Sequence, residues 1–346
     1  MIPHSRPTIG KEEIEAVSKV ILSSMLAQST EVKNFEEKMC QFIGTSHAAA
    51  VSSGSAALFL VLKALNIGTG DKVALPAFVC TSPLNSIFQA GAEPLLVDIE
   101  IESYNISIKD LIKKINRKTK AIILPHMFGQ PAEIEEVLNI GIPVIEDCAM
   151  SLGATYKEKM TGSFGIASIF SFYATKVITT GEGGMVLSNS AELIDKIRNL
   201  RSYDERETYM VRYNYKMTDF QAAIGQVQLT RIPELINRRR KIADIYNKEF
   251  SPINVILPVE YEYKNSIYFR YVIRKARNAL QIIQTLRKKG IMTRRPVFKP
   301  LNHYLNLTNF PTTERAYKES ISIPLYPSLS DIEIETIIEG VKDAIY

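Results

Sequence analysis

The sequence predicts an α/β protein: a large, mostly parallel sheet covered by helices on both faces, with a smaller α/β unit after it. Three observations carry this. Seven short apolar runs alternate with segments of mostly helical length between residues 48 and 187, the pattern of a sheet crossed by helices. After about Ser190 the pattern changes to successive helical stretches, and Pro252 and Pro258 punctuate a boundary near residue 250. The 346 residues, 46% hydrophobic and 23% charged, exceed one minimal domain and suffice to bury a large core without staples.

The elements follow in order. Gly10 to Ser24 reads as an amphipathic helix, because Ile14, Val17 and Ile21 recur at helical spacing behind acidic Glu12 and Glu13. A second helix covers Glu31 to Ile43. The apolar runs 48–51, 72–75, 94–97, 121–124, 144–146, 167–172 and 185–187 are the expected strands. Helices are expected over 191–200, 219–228 and 232–250. The last part reads as strand 267–274, helix 279–289, strand 321–324 and a closing helix after Ser330, which has capping-box spacing to Glu333. The expected division is residues 1–250 and 251–346.

Composition excludes several classes. A net charge of +5 over 42 basic and 37 acidic residues is a mild excess that favours a phosphorylated substrate and does not point to nucleic acid. The basic run Arg238-Arg239-Arg240-Lys241 lies on a helix with Ile236, Ile242 and Ile245; adjacent arginines fan around a helix, so a solvated surface is expected. Cys40, Cys80 and Cys148 form no disulfide framework and suit a reducing compartment. None of His4, His47, His126 and His303 pairs at ligand spacing, so no metal is expected. Residues 1–7 lack an apolar signal core, and runs such as Leu58 to Leu62 are too short to span a bilayer. The expectation is a cytoplasmic protein.

Ligands of such sheets gather at the carboxyl ends of the strands. Three segments with chemistry stand there. In Val51-Ser52-Ser53-Gly54-Ser55-Ala56 a strand ends, small residues turn, and a helix begins, leaving free N–H groups that suit a phosphate. A plain helix cap explains the same residues. In Val144-Ile145-Glu146-Asp147-Cys148 a carboxylate closes a buried strand; it stays ionised only beside a cation, such as a protonated pyridine nitrogen. A capping aspartate is the alternative. Lys176 follows the run 167–172 and precedes the turn Thr180-Gly181-Glu182-Gly183-Gly184, a position that suits a Schiff-base lysine as well as a surface lysine at a hairpin mouth. A fourth segment, Tyr213-Asn214-Tyr215-Lys216-Met217-Thr218-Asp219, reads only as a loop entering a helix.

Together these segments resemble one family. With Ile2-Pro3, Ser5-Arg6-Pro7, Gly70-Asp71-Lys72-Val73, Gly129-Gln130-Pro131-Ala132 and Gln221-Ala222-Ala223-Ile224-Gly225, they are similar nearly end to end to the DegT-type (DegT/DnrJ/StrS) nucleotide-sugar aminotransferases. The resemblance implies the aspartate-aminotransferase-like fold, pyridoxal 5'-phosphate (PLP) fold type I, with a seven-stranded sheet in the large PLP-binding domain. It implies that Lys176 forms the Schiff base and Asp147 meets the pyridine nitrogen. Gly54, Ser55, Ala56 and Ser171 match the phosphate cup, and Asn214 matches an asparagine that reaches the neighbouring subunit's phosphate. A homodimer with shared active sites follows from that match. The implied reaction moves an amino group, from L-glutamate, onto a nucleotide-linked keto-sugar.

Four departures bear on the substrate. Met150 stands beside the cofactor position, where glutamine or histidine is usual, and Cys80 where an aromatic usually stacks on the ring. The segment 25–30 lacks the usual glycine turn. Arg294-Arg295-Pro296-Val297-Phe298-Lys299-Pro300 replaces the usual histidine-tyrosine-proline loop, and Arg294, Arg295 and Lys299 are candidates for the sugar nucleotide's diphosphate, or a solvated basic loop. Two other readings stay open: a keto-cyclitol aminotransferase, and a non-catalytic PLP-fold regulator. Lysine rather than histidine at 176 argues against a sugar dehydratase.

Overall fold

A computed structural model describes residues 1–345. Its strands are β1 His47–Val51, β2 Lys72–Pro76, β3 Glu93–Val97, β4 Thr119–Pro125, β5 Val144–Asp147, β6 Thr155–Tyr156, β7 Lys159–Met160, β8 Ala167–Ser171, β9 Gly184–Ser188, β10 Lys264–Asn265, β11 Tyr271–Arg274 and β12 Ser320–Ile323. Its helices are α1 Lys11–Ser23, α2 Thr30–Ile43, α3 Gly54–Ala64, α4 Thr81–Ala90, α5 Ile108–Lys114, α6 Ile134–Leu138, α7 Ala191–Leu200, α8 Asp219–Thr230, α9 Ile232–Phe250, α10 Ala279–Lys288, α11 Leu301–Tyr304, α12 Pro311–Glu319 and α13 Asp331–Ile345.

All seven expected strands of the first part form one sheet, ordered β1-β9-β8-β5-β4-β2-β3. The pairs β2·β3, β2·β4, β4·β5 and β5·β8 are parallel; β9 runs antiparallel to both β1 and β8. The strands are buried along most of their length, which is why they read as continuous apolar runs rather than alternating ones. The register aligns their ends. Val51 and Ser171 both pair with Gly184, while Asp147 pairs with Ile169 and with Pro125. Residues 52–54, Ser171, Asp147 and His126 therefore share one edge of the sheet.

A second core gathers Ile2, the C-terminal half of α9, β11, β12, α10 and α13 around Tyr246, Tyr271 and Leu286. The small β6–β7 hairpin pairs with β10 and was not visible as an apolar run.

Three expectations change. The strand expected over 267–274 is β11 alone, because Tyr268 takes φ 48° and the preceding residues dock on a 3-10 turn: the Ile267 N–H donates to Gly129 O (3.2 Å). On α1, Ile14 and Ile21 face outward while Glu13 is buried, held by Gln228 (2.6 Å), Arg231 (3.1 Å) and the Gly10 N–H (2.6 Å). The arginine run on α9 is not a solvated surface. Arg238 pairs with Asp331 (2.9 Å) and Arg240 donates to Ser266 O (3.0 Å), while Arg239 is only 4% exposed; fanning around the helix turns one arginine inward. Among the described residues no helix is long and apolar enough to cross a membrane.

Candidate active site

Helix α3 starts one residue after Ser53, whose side chain accepts the Ala56 N–H (3.1 Å). The N–H groups of Gly54 and Ser55 have no protein partner, so the positive end of the helix is open toward Ser171. Close approach is what demands glycine here: a Cβ on Gly54 would stand 2.8 Å from the Ser171 Cβ, and one on Gly184 2.3 Å from the Ser53 carbonyl carbon. Gly54→Ala is expected to destabilise the fold by about 1–3 kcal/mol through overpacking, read from urea unfolding midpoints. The Ser55 hydroxyl meets that of Ser82 at 2.6 Å. Ser82 lies in the first turn of α4, so two helix N-termini converge here. Sequence reading missed Ser82; the helix start Cys80-Thr81-Ser82-Pro83 was the signal for it.

Asp147 ends β5, buried, and one carboxylate oxygen accepts the Ala149 N–H (3.0 Å). Its other oxygen has no hydrogen bond among the described residues. Burial pushes this carboxyl above its ordinary range, and the Ala149 N–H, Lys176 and His126 pull it only part of the way back. It is a carboxylate short of a cation.

Lys176 lies in the loop between β8 and β9, its N–H donating to Tyr173 O (2.8 Å). The loop is tied at its mouth by Phe172 N–H to Gly183 O and Thr180 N–H to Phe172 O, both 2.9 Å. Among the described residues the Lys176 amine makes no ion pair, and it sits 5.4 Å from the centroid of the Phe269 ring. Burial lowers its pKa, the Cys80 and Asp147 side chains counteract this, and Arg270 adds to it. Lys176, Asp147, Cys80 and Arg270 thus act on one another. The Cys80 residue is exposed overall, yet its thiol is raised by surrounding protein and by Asp147.

The remaining expected residues are more scattered. Met150 is half-buried against two cores near Gly129. Asn214 is exposed, on a stretch whose neighbours anchor it: Ser52 donates to Tyr215 O (2.8 Å) and Tyr213 to Leu200 O (2.8 Å). Arg295 is held by Tyr317, donating to its hydroxyl (2.7 Å) and lying over its ring, and Lys299 lies over Tyr304. Only Arg294 of the three has no side-chain partner, and its backbone pairs both ways with Ser322. The sequence alone does not single out Phe269 or Arg270, which enter the site through contacts distant along the chain, and it gives no role to Thr175, which directly precedes Lys176.

Behind Asp147, Glu146 is fully buried. It accepts the N–H groups of Gly162, Phe164 and Gly165, each at 2.8 Å, and contacts His126 at 3.1 Å. His126 Nδ1 accepts the Ala132 N–H, so Nε2 carries the proton given to Glu146. Cys148 completes a set that a metal ion could join, but both Glu146 oxygens are already engaged. The cluster is a strut under the strand end.

The residues present fit pyridoxal phosphate: an open helix end for phosphate, an under-compensated carboxylate for a pyridinium, and beside that carboxylate an amine without an ion pair among the described residues.

Comparison with known proteins bears on the whole chain. The model for the DegT/DnrJ/EryC1/StrS aminotransferase family matches residues 7–342. The chain is 35% identical to the Bacillus subtilis spore coat polysaccharide biosynthesis protein SpsC, covering 99% of this chain and 97% of that one. It is 34% identical to the GDP-perosamine synthase of Vibrio cholerae, covering 99% of each. The solved PLP form of the putative sugar aminotransferase Spr1654 from Streptococcus pneumoniae superposes with a TM-score of 0.94 at 28% identity, over 99% of this chain and 98% of that one. The architecture is PLP fold type I, a large mixed sheet with a smaller C-terminal α/β unit.

Proposed function

The chain belongs to the DegT/DnrJ/EryC1/StrS aminotransferase family, and from that premise we propose that it is a PLP-dependent aminotransferase moving an amino group from L-glutamate onto a nucleotide-linked keto-sugar. The observation that carries this is Lys176, an amine without an ion pair, acting on Asp147, a carboxylate short of a cation, at the strand ends beside the open start of α3. When bound, PLP supplies the electron sink that lets the amine-bearing carbon lose its proton.

The protein's own groups have distinct tasks. Gly54, Ser55 and Ala56 present the helix end to the phosphate, and Ser171 stands opposite. Asp147 would favour a protonated pyridine nitrogen by its charge. Lys176 would hold the cofactor's carbonyl carbon and, when free, serve as the base that moves the proton of the donor's carbon; burial lowers its pKa, which favours the neutral amine that role needs. Cys80, whose thiol is raised, and Met150 would add no negative charge beside the ring.

A homodimer with shared sites is part of the proposal. Asn214 is exposed, free to reach the partner's phosphate, and Ile14, Ile21 and Leu22 of α1 face outward. The sugar-nucleotide assignment draws on the GDP-perosamine synthase likeness and on residues 294–300, of which Lys299 and Arg295 now have aromatic partners.

The test is the absorbance spectrum of purified protein with PLP, before and after L-glutamate. Condensation with Lys176 is expected to give a visible band, and amino transfer to replace it with the near-ultraviolet band of pyridoxamine phosphate. No visible band overturns the proposal; a band that glutamate leaves unchanged overturns the donor.

A further inference from the structure

Arg270 is an arginine without an acid. Its guanidinium lies 5.4 Å from the centroid of the Phe269 ring, the same distance as the Lys176 amine from that ring. No carboxylate lies within ion-pair distance of it among the described residues. One N–H meets His4 Nδ1 at 3.0 Å, and His4 Nε2 lies 2.9 Å from the Ser322 hydroxyl. His4 is pushed down to about 2 by burial and by Arg270 and Arg294, so it is a neutral acceptor that orients Arg270 without neutralising it. The other guanidinium N–H groups have no partner among the described residues.

Arg239 stands behind it, 4% exposed. It donates only to the carbonyls of Tyr268 (3.4 Å), Phe269 (3.3 Å) and Leu325 (3.2 Å), and its Nε has no partner. A small cavity lined by His4, Thr175, Arg239, Phe269 and Arg270 lies between them, and Thr175 directly precedes Lys176. Arg294 joins from the loop paired to Ser322. Burial holds Arg239 and Arg270 down at about 10 each, helped by Arg270 for Arg239 and by Arg294 for Arg270. Gathering guanidinium groups away from solvent without a counter-charge is unfavourable unless an anion arrives.

The choice of anion follows from position. The cofactor's phosphate is served by the start of α3. The diphosphate of a sugar nucleotide is separated from the aminated carbon by much of a sugar ring. The α-carboxylate of an amino-acid donor, by contrast, shares a carbon with the amine exchanged at Lys176. It therefore meets whatever cation stands beside that lysine, and a guanidinium fork fits a carboxylate at two points.

We propose that Arg270 receives the α-carboxylate of the amino donor, that Arg239 and His4 position it, and that Arg294 faces the distal carboxylate of a dicarboxylic donor. This rests on the transamination reading above and moves Arg294 from the sugar nucleotide to the donor.

The test uses PLP-loaded enzyme and the rate of loss of its visible band. L-Glutamate is compared with 4-aminobutanoate, which lacks the α-carboxylate, and L-2-aminobutanoate, which lacks the distal one. Wild type is expected to lose at least about 30-fold in apparent second-order rate constant without the α-carboxylate. Arg270→Gln is expected to bring glutamate down to the level of 4-aminobutanoate, and Arg294→Gln to erase the preference for glutamate over 2-aminobutanoate. PLP affinity, titrated on the apoenzyme, is expected to fall far less in Arg270→Gln than the rate with glutamate. Arg270→Lys, which keeps the charge and loses the fork, is expected to fall between. Calorimetric binding of 2-oxoglutarate, which cannot donate an amine, is expected to weaken in the same order. Wild type that takes 4-aminobutanoate as readily as glutamate, or 2-oxoglutarate binding indifferent to both Arg270 variants, overturns the inference. Wild type silent toward glutamate overturns the donor reading, while the 2-oxoglutarate comparison still decides for or against Arg270.

Discussion

Lys176→Ala is expected to lower amino transfer by at least about four orders of magnitude and to remove the visible band of the PLP-loaded protein. Two losses combine. The residue that would bond the cofactor is gone, and so is the base that moves the proton. No other lysine is placed to substitute: the Lys176 amine is the one that acts on Asp147 and Cys80, whereas Lys216 and Lys264 are held in ion pairs with Asp204 and Glu133. Burial lowers the Lys176 pKa, so its neutral, reactive form extends to lower pH than that of an ordinary lysine. The visible band is therefore expected to survive acidification further than that of PLP mixed with free lysine. Turnover by the purified variant at a wild-type rate would remove Lys176 from the mechanism.

Asp147→Asn is expected to cost about three orders of magnitude in turnover, the scale of breaking a buried charge pair. The sign of its stability effect reverses with the cofactor. In the protein alone, burial raises the Asp147 pKa above its unfolded value, so this group's contribution is fully favourable only below the unfolded pKa and is lost as pH rises through the folded one. At neutral pH the charge is a burden, and the amide is expected to raise the melting temperature of the apo form. With PLP bound the charge gains a partner, and the same substitution is expected to reduce the stabilisation that PLP confers. Melting curves with and without PLP read both. A variant that loses stability in the apo form and keeps the full PLP increment would mean that Asp147 serves only to cap the Ala149 turn.

How much of this was legible in sequence depended on range. The strands of the large sheet were, because burial on both faces writes itself as an unbroken apolar run, and the chemistry at their ends was, because Asp147, Ser171 and Gly54 interrupt those runs. Lys176 was legible as a lysine where a strand stops. Arg270 was not. It sits in a segment that reads as continuous strand, and only its docking on the Phe128–Gly129 turn, over a hundred residues earlier, bends it toward the site. Arg239 was hidden for a different reason: three neighbouring arginines look alike in sequence, and which one faces inward is decided by the carbonyls of Tyr268, Phe269 and Leu325. The outward apolar side of α1 misled because periodicity reports a stripe and not which way it faces.

The antiparallel strand β9 has a kinetic consequence. Because β8 and β9 run side by side in opposite directions, the loop bearing Lys176 is held at both ends by the same pair of strands. Once displaced by a substrate, the amine can wander only as far as its four methylenes allow. Its effective concentration at the carbon it has just left stays far above that of any dissolved amine. Recapture by the enzyme is then an intramolecular step, and amine buffers are expected to compete poorly for the cofactor however crowded the solution.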